Sequence, residues 1–209
     1  MARDPLKAQQ YKTQRADLPE DLWQPLYDRV NIATTLPGQV SFFSVPKGQT
    51  ATLITGTATA VIAKSYRDTN IETANVVPTK MFKFVGISLG FVHLNNNLAS
   101  NTTSRNMVTK AGYLQFRIVD KDLLFIPLIA IPYVNPFAAV ATTTGATDIM
   151  ADNPGAGQGI GMYKLPIPIT LNPYENFSVT LNFTTAASVT IAETLDVYVI
   201  LQGFQRRPT

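Results

Sequence analysis

From Gln39 onward the chain is a succession of short runs rich in Val, Ile, Thr, Phe and Tyr, punctuated by Gly, Asn and Pro. That texture predicts strands separated by turns. The runs are 40–45, 50–63, 81–94, 113–119, 123–131, 164–171, 177–183 and 194–204. Within them a two-residue alternation recurs, as in Phe82, Phe84, Gly86, Ser88 and in Phe177, Val179, Leu181, Phe183, with the aromatic residues directed to the core. A period of two marks a strand with one buried face. In 50–63 the alternation slips around Ile54 to Gly56, predicting a bulge or bend in one long strand. Helical periodicity is nearly absent. Eight strands at this spacing predict an all-β, antiparallel, eight-stranded sandwich over residues 39–209.

Residues 1–38 have a different character. Prolines at 5, 19, 25 and 37 interrupt any regular element, so this segment reads as an extended N-terminal arm. Its first part carries Arg3, Lys7, Lys12 and Arg15 against Asp4 alone. This local positive charge suits phosphate, as in a genome or a membrane surface, or an acidic neighbour; a solvated tail is the equal alternative. Next, Glu20 and Asp21 suit the start of a helical turn, and Leu22, Trp23, Leu26 and Tyr27 supply apolar anchors. These four are the candidate subunit contacts. The sole tryptophan either folds back on its own domain or clamps a neighbouring copy.

Two connections are long. Residues 95–112 are rich in Asn, Ser and Thr, and residues 135–161 in Ala, Thr and Gly. Structureless loops beyond roughly 12–15 residues are uncommon unless they have a task. They are expected to face outward or to reach a neighbour, with a tolerated surface insertion as the bland alternative.

Composition sharpens the picture. Hydrophobic residues form 45% of the chain and charged ones only 15%, against roughly 25% charged in ordinary soluble domains. Such a surface favours an assembled state in which contacts between copies cover apolar area. A net charge of +3 is too weak to mark a dedicated nucleic-acid binder. Zero cysteines exclude disulfides, thiolate nucleophiles and zinc–thiolate sites. Residues 1–19 lack the apolar core of a secretory leader, which sets the expectation of synthesis and assembly in a cytoplasm.

Candidate chemistry is sparse. The single histidine, His93, excludes a multi-histidine metal site. Gly86-Ile-Ser88-Leu-Gly90 matches the letters of a nucleophile elbow but lies inside a strand pattern with no helix after it. Gly155 to Gly161 places glycine at every second position, missing the spacing of dinucleotide and phosphate loops. Asp120-Lys121-Asp122 reads as a hairpin turn. Lys80 and Lys83 around Phe82 and Phe84 are the nearest approach to a nucleic-acid patch, and edge-strand lysines account for them equally well. Neither catalytic residues nor a metal or cofactor site is expected.

Several stretches carry a resemblance. Asp68-Thr-Asn-Ile, Val77-Pro78, the run from Phe82 to Phe91, Leu165-Pro-Ile-Pro-Ile-Thr-Leu, Glu175-Asn-Phe-Ser-Val-Thr-Leu and the closing Val197-Tyr-Val-Ile-Leu-Gln-Gly-Phe-Gln-Arg resemble the jelly-roll capsid proteins of tailless icosahedral bacteriophages. The likeness spans about residues 40–207 and is one of texture and order. It implies a single jelly roll of two four-stranded sheets in Greek-key order. It also implies a structural virion protein whose partners are copies of itself and other virion proteins. A virion spike or carbohydrate-binding sandwich, using the two long loops as its ligand end, is the competing expectation.

Overall fold

The computed structural model describes residues 21–94, 98–133, 161–183 and 190–206. Among the described residues the elements are antiparallel strands, one α-helix and one short 3-10 turn. β1 (Asp21–Trp23) and β2 (Leu26–Ile32) are followed by β3 (Gln39–Phe42), then β4 (Thr50–Thr55) and β5 (Ala58–Ala63). The long β6 (Met81–His93) leads through helix α1 (Leu98–Ala111) to β7 (Gly112–Ile118) and β8 (Lys121–Pro127). A 3-10 turn (Leu128–Ala130) follows, then β9 (Tyr163–Leu171), β10 (Phe177–Phe183) and β11 (Leu195–Arg206).

The strands form two main sheets. In the first the order is β1-β11-β6-β9, with β2 also paired to β11; in the second it is β3-β10-β7-β8. β2 runs against Leu195 to Leu201 and β1 against Phe204 to Arg206, so both lie on one side of β11. The two sheets share one hydrophobic core, and the result is sandwich-like. Phe84 of β6 meets Phe116 of β7 at 5.2 Å between ring centroids, and Phe116 in turn approaches Phe177 of β10 at 6.3 Å.

The alternation of the sequence fixes which side chains face this core. Leu195, Val197, Val199 and Leu201 are fully buried on one face of β11. Lys83 projects outward between the buried Phe82 and Phe84. The edges follow the chemistry expected of edge strands: β9 carries Pro166 and Pro168, which offer no amide, and its pairing with β6 is irregular between Phe84 and Gly86.

Three expectations change. The run 50–63 is two strands of a separate two-stranded sheet, because Gly56, at φ 68°, reverses the chain instead of bulging it. Residues 95–112 are not a loop: α1 covers most of that stretch. Its inner side buries Ser104, Arg105 and Thr109 beside Val108, so no apolar stripe marks it in the sequence. The expected division at residue 38 does not separate an arm from the sandwich in the described part. β1 and β2 are sheet strands, Asp21 begins β1 and not a helical turn, and Leu26, Ile32 and Leu36 lie in the core. The long connection expected at 135–161 lies, but for Gly161, outside the described residues.

Candidate functional site

The proposed subunit contacts separate into different roles. Leu26 is fully buried in the core of its own chain and offers no surface. Leu22 and Tyr27 are half-buried, and the Tyr27 hydroxyl donates to the Tyr66 carbonyl. Trp23 stands edge-on to Phe204 of the neighbouring β11, with centroids 4.9 Å apart, yet 42% of it remains exposed. It thus folds back on its own sheet and keeps a free flank. Arg206 of β11 pairs with Asp21 at 3.3 Å, closing the β1 end. Arg3, Lys7, Lys12 and Arg15 lie outside the described residues.

Behind β1 and β2 lies a buried ionic cluster that the sequence pattern did not single out. Arg29, on the outer face of β2, donates through Nε to Asp196 Oδ2 at 2.7 Å, through Nη1 to Asp68 at 3.0 Å, and through Nη2 to the Ile54 carbonyl at 2.7 Å. The Ile54 amide donates to Asp196 at 2.8 Å, so both backbone groups of this β4 residue are tied to the cluster. Asn31 donates to the other Asp196 oxygen at 2.6 Å. One residue earlier, Asp28 points to the opposite side of β2, where Lys64 meets it at 2.7 Å and the Phe43 amide donates to it at 2.7 Å. Phe43 adopts a positive φ of 62°, costly for a bulky residue, and the Asp28 hydrogen bond fixes its amide.

Burial and partners act in opposition on these carboxylates. Desolvation pushes the Asp28 pKa up, and the pull of Lys64 and the Phe43 amide does not fully reverse it. Burial also pushes Asp68 up, but the Ser65 amide and hydroxyl together with Arg29 outweigh it and hold its pKa below the usual carboxylate range. The cluster fastens the β4–β5 hairpin and the 64–71 segment around the β2 edge. Asn70 completes the wrap, accepting from the Tyr27 amide at 3.0 Å and donating to the Pro25 carbonyl at 2.7 Å. An otherwise open sheet edge is thereby covered.

The other side chains considered for chemistry have structural settings. Ser88 is buried within β6, donates to the Gly161 carbonyl at 2.7 Å and accepts from Gln202 at 3.2 Å. It does not stand on a strand-to-helix turn. His93 ends β6, and burial together with the nearby Arg105 drops its pKa to about 4 despite the opposing Glu193. Asp196 is fully buried against Arg29. The β7–β8 turn falls at Val119 and Asp120, and Asp122 receives Arg117 at 2.8 Å. Among the described residues no three His, Asp or Glu side chains converge as a metal site would require.

Some exposed apolar side chains lie on edge strands. On β8, Leu123 and Phe125 are 41% and 58% exposed on the same side of the strand. Phe125 lies 6.2 Å from the Tyr113 ring of β7. On β9, Ile167 is 78% exposed. Isolated apolar residues on a surface are ordinary, but Leu123 and Phe125 of the edge strand β8 stand together with Tyr113 of the adjacent β7. Against these features, no protein-family model matches the chain, and no curated protein matches it by sequence.

Proposed function

We propose that this chain is a non-enzymatic structural protein of a virion, a capsid subunit that assembles with copies of itself into an icosahedral shell. The observation that carries the reading is the pair of strand orders. Taking β1 and β2 as one interrupted strand along β11, and the β4–β5 hairpin as an insertion, leaves eight strands. Four of them run β2-β11-β6-β9 and four run β3-β10-β7-β8. This order supports the reading as a jelly roll of two Greek keys, and it agrees with the resemblance to capsid proteins of tailless icosahedral bacteriophages. Fold by itself does not give function; the surface supplies the second support. A chain only 15% charged that displays Leu123, Phe125 and Ile167 on edge strands is suited to burying those edges against neighbours.

In this reading the partners are further copies of the chain and other virion proteins. The basic residues Arg3, Lys7, Lys12 and Arg15 serve contacts with genome phosphate, a lipid surface or an adjacent subunit. The location is the virion, after synthesis in a host cytoplasm.

A charge-insertion variant tests the reading. Leu123→Lys with Phe125→Lys places two cations on side chains that the fold leaves exposed, so the domain should retain its circular dichroism. Sedimentation velocity should show wild-type assemblies shifted to smaller species in the variant. Wild-type protein that stays monomeric would refute the proposal.

A further inference from the structure

We infer that the cleft between the β1–β2 junction and the 66–80 segment is a binding site for a neutral glycan. Its volume is about 390 Å³, within the roughly 300–1,000 Å³ of small-ligand sites. Tyr66 and Tyr174 line it and are 63% and 69% exposed. Neither ring is loosely hung. Lys47 lies over one face of Tyr66, 3.8 Å from its centroid, and donates to its hydroxyl at 2.6 Å. Tyr174 has a positive φ of 61°, unusual for a bulky residue. Its turn is pinned by the Tyr174 amide on the Val77 carbonyl at 3.2 Å and the Asn172 amide on the Glu175 carboxylate at 2.8 Å. A strained backbone that holds an aromatic ring out into water is a feature of ligand sites.

The polar part of the cleft points the same way. Gln205 lines it from β11 and is 5% exposed. An amide offers two donors and a carbonyl side by side, which matches adjacent sugar hydroxyls, themselves both donors and acceptors. A pyranose ring also presents a flat C–H face to an exposed tyrosine ring. Charge selects against other ligands. Glu72 and Lys80 are the charged lining residues and carry opposite signs, and Glu72 is already paired with Lys47 at 3.3 Å, so the cleft offers no free carboxylate to a basic segment of another copy. The inference is independent of the assembly reading.

The test uses the full-length chain on a printed array of neutral hexose- and N-acetylhexosamine-terminated glycans, followed by saturation-transfer NMR with the glycans retained. Binding is expected with saturation at sugar C–H protons, and Tyr174→Ala and Tyr66→Ala should each weaken it at least about tenfold. Both rings are largely exposed, so both variants should keep the wild-type circular dichroism. An array without retained glycans, binding unchanged in both variants, or occupation of the cleft by a synthetic 1–20 peptide in place of any glycan would overturn the inference.

Discussion

Arg29 Nε and Asp196 Oδ2 meet at 2.7 Å across the β2–β11 ladder, with Arg29 only 1% exposed and Asp196 fully buried. The guanidinium also holds Asp68, which Arg67 approaches at 3.5 Å from the exposed side, so Arg29 is the buried cation shared by two buried carboxylates. Removing one member of such a group leaves the other charges stranded in low dielectric. Arg29→Met should therefore destabilise the fold by about 3–5 kcal/mol, seen as a lower urea midpoint. The Lys64–Asp28 pair supplies the control. Lys64→Met with Asp28→Leu removes both charges and should lose less stability than either single change. Double-mutant losses that simply add would show that the ion pair itself contributes little coupling.

Truncation separates the two parts of the N-terminal region. Removing residues 1–20 should leave the sandwich folded, since β1 begins at Asp21. Removing 1–38 deletes β2 together with Leu26, Ile32 and Leu36, each buried to within 2%. Burying a side chain of this kind is worth roughly 1.5–3 kcal/mol, against a total domain stability of about 5–15 kcal/mol. The shorter chain should fail to give a cooperative thermal transition. A normal transition would mean that β2 is dispensable to the core.

His93 sets a pH dependence. Its folded pKa of about 4 lies below the usual histidine value of 6.5, so the unfolded chain binds the proton more readily. The stability linked to His93 is full above about pH 6.5 and is lost as pH falls toward about 4. The charged groups acting on it are Arg105, which opposes protonation, and Glu193, which favours it. In His93→Gln the urea midpoint should vary less steeply across that window. An identical slope in both proteins would assign the dependence to other groups, of which Asp68, with its lowered pKa, acts in the same direction at lower pH.

Gly203 is a packing prediction. It sits at a register shift between β11 and β6, and a Cβ there would lie 2.3 Å from the Lys83 carbonyl oxygen and 2.7 Å from the Phe82 ring. Backbone cannot yield as a flexible side chain does. Gly203→Ala should cost at least about 1–3 kcal/mol, measurable as a drop in Tm, and an unchanged Tm would show that the bulge relaxes freely.

Strand runs were legible wherever one face is buried, because the period of two is written directly in the side chains: 177–183 coincides with β10, and 81–94 with β6 to within one residue. Reading failed where burial is polar. The inner side of α1 uses Ser104, Arg105 and Thr109, and β2 carries Asp28 and Arg29 in its middle, so neither segment displays an apolar stripe. Pro25 interrupts the pattern between β1 and β2, which made two sheet strands resemble an arm. The cluster joins residues as distant as Arg29 and Asp196, and the cleft brings together Tyr66, Tyr174 and Gln205. Such groupings arise from strand order, and local spacing carries no trace of them.

Assembly is the central claim, and the size distribution of purified full-length protein addresses it most directly, by light scattering with negative-stain microscopy across salt and protein concentration. The account predicts closed shells or regular capsomer-sized oligomers that persist when salt screens surface charge, because apolar edges contribute much of the contact. A stable monomer or a small oligomer under every condition would contradict it.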